Sequence, residues 1–397
     1  MTEDRKHRGD GTRLTHTGRG GNRHHGVVNT PVYHVSTVTF PSLAALKAAP
    51  HGGPQADRAV TYGRRGSPTT FALQDAIAVI EGAGSTFLVP SGLAAINIAL
   101  LATLNPGDHV LITDSAYAPA RQFCDTVLRT LAIQTTYYDP RLGADVSKLF
   151  RPNTKAVFLE APGSVTFEMQ DVPEIAMAAR VHRIATIMDN TWATPLYFKP
   201  LLAGIDISVQ SVTKYIGGHA DVVMGSITAS EPWLSRVRHW IQHLGLSVGP
   251  DDCNLALRGL RTLGARLEQH QASGLKVANW LRSRREVVRV LHPALADDPG
   301  HELWKRDFRG ACGLFGVVLQ PKPDEALAAF VDGLELFGIG YSWGGYESLI
   351  VPHDPRPIRT AVPWTEPGQL IRIHAGLEDV DDLIADLSAG LARYAAS

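Results

Sequence analysis

Between Phe71 and Tyr215 the chain alternates short, almost wholly apolar runs with longer segments of helical character, and this alternation leaves few folds open. The apolar runs are STFLVP (85–90), HVLITD (109–114), IQTTYYD (133–139), KAVFLEAP (155–162), ATIMDNT (185–191) and DISVQSVTKY (206–215). They are too uniformly apolar for strands with one wet face, and segments such as FALQDAIAVIEGAG, SGLAAINIALLATLNPGD and VPEIAMAARVHRI separate them. Strands buried on both faces and joined by helical crossovers form a mainly parallel sheet with helices on both sides. A long helical stretch around RGLRTLGARLEQHQASGLKVANWLRSR leads into a second, smaller set: CGLFGVVLQ, PDEALAAFVDGLELF, LIRIHAG and DVDDLIADLSAGLARYAA. The expected fold class is α/β: residues 1–68 as an N-terminal arm and inter-subunit loop, 69–264 as the main α/β domain, and 265–397 as a smaller C-terminal α/β domain.

With 397 residues, 44% of them hydrophobic, the chain has material for sizeable cores. Lysine and arginine number 38 against 39 acidic residues, so no excess charge is available to neutralise nucleic-acid phosphates. The 3 cysteines (Cys124, Cys253, Cys312) are widely spaced and odd in number, which argues against a disulfide framework. No apolar run approaches the ~20 residues that cross a bilayer, and the first 25 residues lack the apolar core of a secretory signal. A cytoplasmic protein that binds neither nucleic acid nor membrane is expected, its Gly-, Arg- and His-rich start serving as a mobile or partner-docking arm. Gly52-Gly53-Pro54 and TYGRRGSPTT (61–70) read as turns with little apolar material nearby to hold them.

In an open α/β sheet, ligands sit at the carboxyl ends of the strands, so polar residues there are the candidates for chemistry. FLVPSGLAA passes from strand to helix at Ser91, and the N–H groups of Gly92 and Leu93 suit a phosphate, although Ser91 is equally explained as an N-cap. Asp189 follows the strand ATIM, where it either caps a turn or meets a cation. Lys214 follows the next strand between Ser211, Thr213 and Gly217-Gly218; partial burial would lower its pKa and make its amine nucleophilic. Tyr117 adds an aromatic for stacking. Phosphate contacts, an amine for a carbonyl, a carboxylate for a ring nitrogen and a stacking ring together match pyridoxal 5'-phosphate. Arg372 sits inside the apolar LIRI run and needs an anion, either an internal acid or a substrate carboxylate. Trp343 is compatible with ordinary core and with an active-site wall.

These motifs resemble the Cys/Met metabolism family of pyridoxal-phosphate enzymes, from about Thr61 to the end of the chain. YGRRG (62–66), SVTKYIGGHAD, YSWGGYES (341–348) and LIRIHAGLEDVDDLIADL are most similar to its bacterial cystathionine β-lyase branch. The resemblance implies the fold type I architecture and β-elimination of cystathionine or related cysteine S-conjugates to a thiol, pyruvate and ammonia. It leaves γ-lyase, γ-synthase and desulfhydrase activities as alternatives. By position it implies Lys214 as the lysine bonded to the cofactor, Asp189 as partner of the ring nitrogen, and Tyr117 as the stacked residue. It further implies Gly92, Leu93, Ser211 and Thr213 as the phosphate cradle, and Arg372 with Ser342 and Trp343 at the substrate. Tyr62 and Arg64 would reach across a homodimer interface into the neighbour's site, within a homotetramer. Around Gln242, where several bacterial β-lyases carry an aromatic residue, this chain departs from the pattern.

One rival from another class rests on Gly245-Leu246-Ser247-Val248-Gly249, which fits the G-x-S-x-G of serine hydrolases. That motif requires a strand before it, whereas RVRHWIQHL reads as helical. His292 and His301 have no third clustered ligand, and no metal site is expected.

Overall fold

The computed structural model describes residues 8–19, 24–50 and 57–396. The turn signal at Gly52-Gly53-Pro54 lies outside the described residues.

The first sheet has seven strands: β1 (Ser85–Val89), β2 (His109–Thr113), β3 (Gln134–Tyr138), β4 (Thr154–Glu160), β5 (Ala185–Asp189), β6 (Ile207–Ser211) and β7 (Gly225–Ala229). Their order is β1-β7-β6-β5-β4-β2-β3, parallel throughout except at β7, which runs antiparallel to both β1 and β6. Side chains of successive residues point to opposite faces, and here both faces are buried: Val157 and Met188 enter one core, Phe158 and Ile187 the other. On the first face lie α3 (Pro68–Glu81), α6 (Val172–Val181) and the amino-terminal half of α9 (Pro250–Arg282); on the second lie α4 (Gly92–Thr103) and α8 (Trp233–His243).

A second sheet is formed by β8 (Val287–Leu291), β9 (Leu314–Leu319), β10 (Gly338–Ile339), β11 (Leu349–His353) and β12 (Leu370–His374), in the order β10-β11-β12-β9-β8. It packs under α11 (Asp324–Val331) and α12 (Val380–Ala396) around Phe315, Phe330, Ile371 and Leu387. Helix α9 belongs to both cores: Leu257, Leu260, Leu263 and Leu267 pack with the first sheet, Val277, Ala278 and Leu281 with the second. The boundary drawn between residues 264 and 265 therefore falls inside a continuous helix.

Within the amino-terminal arm, residues expected to be mobile or to dock on a partner instead form α1 (Asp10–His16), which lies on α3 and α9. Its one strongly apolar residue, Leu14, is buried there, and Asp10 pairs with Lys199 at 3.4 Å. The loop around residues 57–67 is likewise held by distant parts of the same chain. Asp57 pairs with Arg238 at 2.7 Å, Arg58 with Asp75 at 2.6 Å, and the Gly63 N–H donates to the Ser36 carbonyl at 2.8 Å.

Candidate active site

Strands β5 and β6 are buried up to their last residues, Asp189 and Ser211, which are partly exposed; β4 ends the same way at Glu160. The parallel register sets Glu160 beside Asp189. Because β7 is antiparallel to both neighbours, β1 points the same way as β6 and delivers the start of α4 to this edge of the sheet. A crevice lined by polar strand ends results, as the open-sheet rule requires.

Asp189 Oδ1 accepts the Thr191 N–H at 2.9 Å and its hydroxyl at 2.5 Å, while Oδ2 has no partner among the described residues. Burial raises the Asp189 pKa, opposed by the Thr191 bonds and the Lys214 charge. Glu160 is raised well above the carboxylate range by burial and by the neighbouring Asp189 charge, with one opposing bond from the Tyr117 N–H at 2.8 Å. Two adjacent carboxyls resist joint ionisation, and the Thr191 bonds and the Lys214 charge favour placing the negative charge on Asp189. The Glu160 bond also fixes the backbone of Tyr117, whose ring is 43% exposed at the crevice.

Lys214 follows β6 in a turn pinned to β7 through Thr213, whose N–H and hydroxyl donate to the Met224 carbonyl at 3.1 and 3.2 Å and whose oxygen accepts the Met224 N–H at 2.9 Å. The Lys214 Nζ donates to Ser342 Oγ at 2.6 Å and lies 5.5 Å from the Trp343 ring centre. Burial, helped by the Arg372 charge, pushes its pKa down to about 8. Arg372 on β12 has its pKa lowered to about 10 by burial, and among the described residues its one hydrogen bond runs to the Ser342 carbonyl at 3.3 Å. No carboxylate pairs with it among the described residues, so of the two partners open to it in sequence, the internal acid is absent. Trp343 packs on Tyr215 with ring centres 5.4 Å apart, and its ring centre lies 5.5 Å from the Lys214 amine.

Ser342 has φ +82°, a conformation that costs a non-glycine residue ~1–2 kcal/mol. Gly92 opens α4 behind the Ser91 cap, which accepts the Ala94 N–H at 3.0 Å. A Cβ on Gly92 would come within 2.6 Å of Ser211 Cβ and 2.7 Å of its Oγ. Only glycine lets the helix terminus approach the β6 end this closely.

The structure does not bring every candidate to this crevice. Arg64 donates to the Gln242 carbonyl at 3.3 Å and stands 6.0 Å from the ring centre of Tyr62, which is 48% exposed. Gly245–Gly249 lies between α8 and α9, with a helix on each side, so the hydrolase motif lacks its strand and is a chance match. No cluster of metal-ligating residues occurs among the described residues. Sequence reasoning passed over Glu160, which satisfies the same rule as Asp189, a charge at the end of an apolar strand. It also passed over His374, two residues beyond Arg372 on β12.

A sequence profile for the Cys/Met metabolism PLP-dependent enzymes matches residues 11–392. The chain belongs to this family. The cystathionine beta-lyase MetC of Escherichia coli (strain K12) is 46% identical over 388 residues, covering 96% of this chain and 98% of its own. An L-alanine/L-glutamate racemase of Wolbachia pipientis wMel is 42% identical over 389 residues, 96% of each chain. Among solved structures, a cystathionine gamma synthase from Xanthomonas oryzae pv. oryzae in complex with aminoacrylate and cysteine aligns with a TM-score of 0.88 at 31% identity, over 98% of this chain and 99% of that one.

The crevice fits the family's cofactor. The first N–H groups of α4 and the Ser211 hydroxyl, which has no hydrogen bond among the described residues, suit its phosphate, the Asp189 Oδ2 its ring nitrogen, and the Lys214 amine its aldehyde. The Thr213 hydroxyl, expected in the phosphate cradle, here donates to Met224.

Proposed function

We propose that this protein is a carbon–sulfur lyase that cleaves cystathionine, or a related cysteine S-conjugate, by pyridoxal-phosphate-dependent β-elimination. The observation that carries the reading is the convergence of a low-pKa lysine and an unpaired arginine on one residue, Ser342. Relatives bearing the β-lyase name at similar length support the substrate class.

Pyridoxal phosphate, when bound, supplies an electron-poor pyridine ring that accepts the electron pair left as the Cα–H bond breaks. Gly92, Leu93 and Ser211 would hold its phosphate and Asp189 its ring nitrogen, with Tyr117 available to stack on the ring. Arg372 pairs bidentately with the substrate α-carboxylate, which orients the Cα–H bond toward Lys214. Lys214 Nζ takes the Cα proton, and its pKa near 8 suits it both to accept that proton and to pass one to the departing sulfur. The Cβ–S bond breaks, homocysteine leaves as the thiol, and hydrolysis of the three-carbon fragment gives pyruvate and ammonia.

The reading extends to assembly. Tyr62 and Arg64 act in the neighbouring protomer's site of a homodimer, two of which form a tetramer, and the exposure of Tyr62 supports this. Three free, buried cysteines suit a reducing, cytoplasmic setting.

The test is to incubate the purified holoenzyme with cystathionine and assay pyruvate, 2-oxobutyrate, ammonia and free thiol together. Pyruvate and thiol in equal amounts are expected. 2-Oxobutyrate in place of pyruvate would move the enzyme to γ-elimination.

A further inference from the structure

The turn that carries Ser342 reaches Lys214 from the second sheet. Gly344 is pressed onto the lysine's own backbone: a Cβ there would lie 2.8 Å from the Tyr215 nitrogen and 2.9 Å from the Lys214 carbonyl carbon. Both Ser342 and Gly344 have positive φ, +82° and +86°; glycine adopts this freely, whereas at Ser342 it persists only where the surroundings impose it. Among the described residues the buried Gly344 N–H has one acceptor, His374 Nε2, at 3.1 Å, and the Gly345 carbonyl oxygen lies 3.2 Å from the same nitrogen.

His374 is buried and its pKa is lowered to about 3, by burial and then by the neighbouring His270, so the ring is neutral and carries one N–H. The His270 Nδ1 faces the Ala375 carbonyl at 3.0 Å, and a carbonyl only accepts, so His270 is protonated on Nδ1 and presents a bare lone pair on Nε2. That Nε2 and His374 Nδ1 are both buried without a partner among the described residues, on rings whose centres are 5.1 Å apart. With its proton on Nδ1, His374 offers Nε2 as the acceptor of the Gly344 N–H. The other tautomer would donate to the Gly345 carbonyl but strand the buried Gly344 N–H, and a buried N–H without an acceptor is a rarer outcome than an under-satisfied carbonyl.

We propose that His374 is a positioning residue. Its Nε2, by accepting the Gly344 N–H, fixes that amide and thereby presents the Ser342 hydroxyl to Lys214 and the Ser342 carbonyl to Arg372. The catalytic half of this inference rests on the roles given to Lys214 and Arg372 above; the conformational half does not.

The experiment compares full-length wild type with His374→Leu, which removes the acceptor, and His374→Gln, whose amide oxygen supplies one at similar reach. Amide exchange of the peptide spanning residues 341–347 is measured with and without pyridoxal phosphate, and kcat and KM are measured with cystathionine. In His374→Leu, exchange should quicken roughly tenfold or more in both states, and kcat should fall about 10- to 100-fold, as misplacing a reacting group does. His374→Gln should restore both to within about threefold of wild type. Unchanged exchange in His374→Leu overturns the proposal, as does quickened exchange with unchanged kcat. Should wild type lack lyase activity, the exchange data still decide the conformational half. Nitrogen-15 spectra of histidine-labelled wild type give a check without mutation: the His374 proton is expected on Nδ1, and a proton on Nε2 would sink the proposal even if His374→Leu does not fold.

Discussion

Asp114 and Arg359 pair through Oδ2 and Nε at 2.9 Å, although 245 residues separate them in the chain. The same buried carboxylate accepts Arg121 at 2.9 Å and the N–H groups of Thr360 and Val362 at 3.0 and 2.8 Å, and Arg359 continues to Glu168 at 2.6 Å. This knot fastens the connection between β11 and β12 to the end of β2, three residues before Tyr117. It ties the segment leading into β12, which carries Arg372, to the sheet whose strand β5 ends in Asp189.

Replacing Asp114 by asparagine should therefore cost stability more than chemistry. Two buried guanidinium groups lose their shared anion, a change worth ~3–5 kcal/mol. The Asp114 pKa is held down at about 2, against burial, by the Thr360 and Val362 N–H groups and Arg359. A carboxyl whose folded-state pKa is depressed stabilises the fold above its unfolded value near 3.9 and loses that contribution as pH falls through about 2. Urea midpoints of wild type and Asp114→Asn should thus differ widely at pH 6 and converge between about pH 4 and pH 2. A gap that stays constant across that range would show that the carboxylate charge is not what matters.

Gly92→Ala should damage cofactor binding without unfolding the chain. The added Cβ meets Ser211 Cβ, which belongs to a strand and cannot swing away. Overpacking of this kind costs ~1–3 kcal/mol, or roughly 5- to 150-fold in affinity when the relief is taken by moving the helix terminus off the phosphate. Titration of the cofactor-free protein with pyridoxal phosphate, followed by visible absorption, measures it, and wild-type affinity would mean that α4 does not bind the phosphate.

Much of the sheet was legible because burial on both faces writes itself as unbroken apolar runs, and β1 to β6 were read in this way. Strand β7 escaped because Gly-Ser-Ile-Thr-Ala carries neither the length nor the apolarity of its neighbours; its burial comes from pairing β1 and β6 on either side. The site shows the same division. Lys214 and Asp189 announce themselves by standing where apolar strands end. The Ser342 contact and the His374 tautomer depend on a turn from another sheet, 128 residues beyond Lys214, and no local pattern encodes that meeting. The loop near Arg58 looked unsupported for the same reason: its anchor Arg238 is 181 residues from Asp57.

Arg372→Lys should separate charge from geometry. Lysine keeps the positive charge but loses the planar fork that matches a carboxylate. Loss of charged hydrogen bonds worth ~1.5–3 kcal/mol predicts that kcat/KM for cystathionine falls roughly 10- to 150-fold. The absorption of the bound cofactor should stay unchanged, since the described contacts of Arg372 are to Ser342. Undiminished kcat/KM would remove the substrate carboxylate from this arginine.

The shared-site arrangement makes a prediction that separates it from a site built within one chain. Arg64→Ala and Lys214→Ala proteins should each be nearly inactive alone. In a hybrid dimer, the protomer with intact Lys214 receives Arg64 from the partner carrying Lys214→Ala, so one of its two sites has every group it needs. With random exchange half of the dimers are hybrids, and activity should recover to roughly one quarter of wild type. If Arg64 instead served its own chain, each site in the hybrid would lack one of the two residues. No activity would then return, however completely the subunits exchanged. Mass spectrometry of the mixed dimers, run beside the assay, establishes that hybrids have formed, so that silence in the assay rejects the shared site.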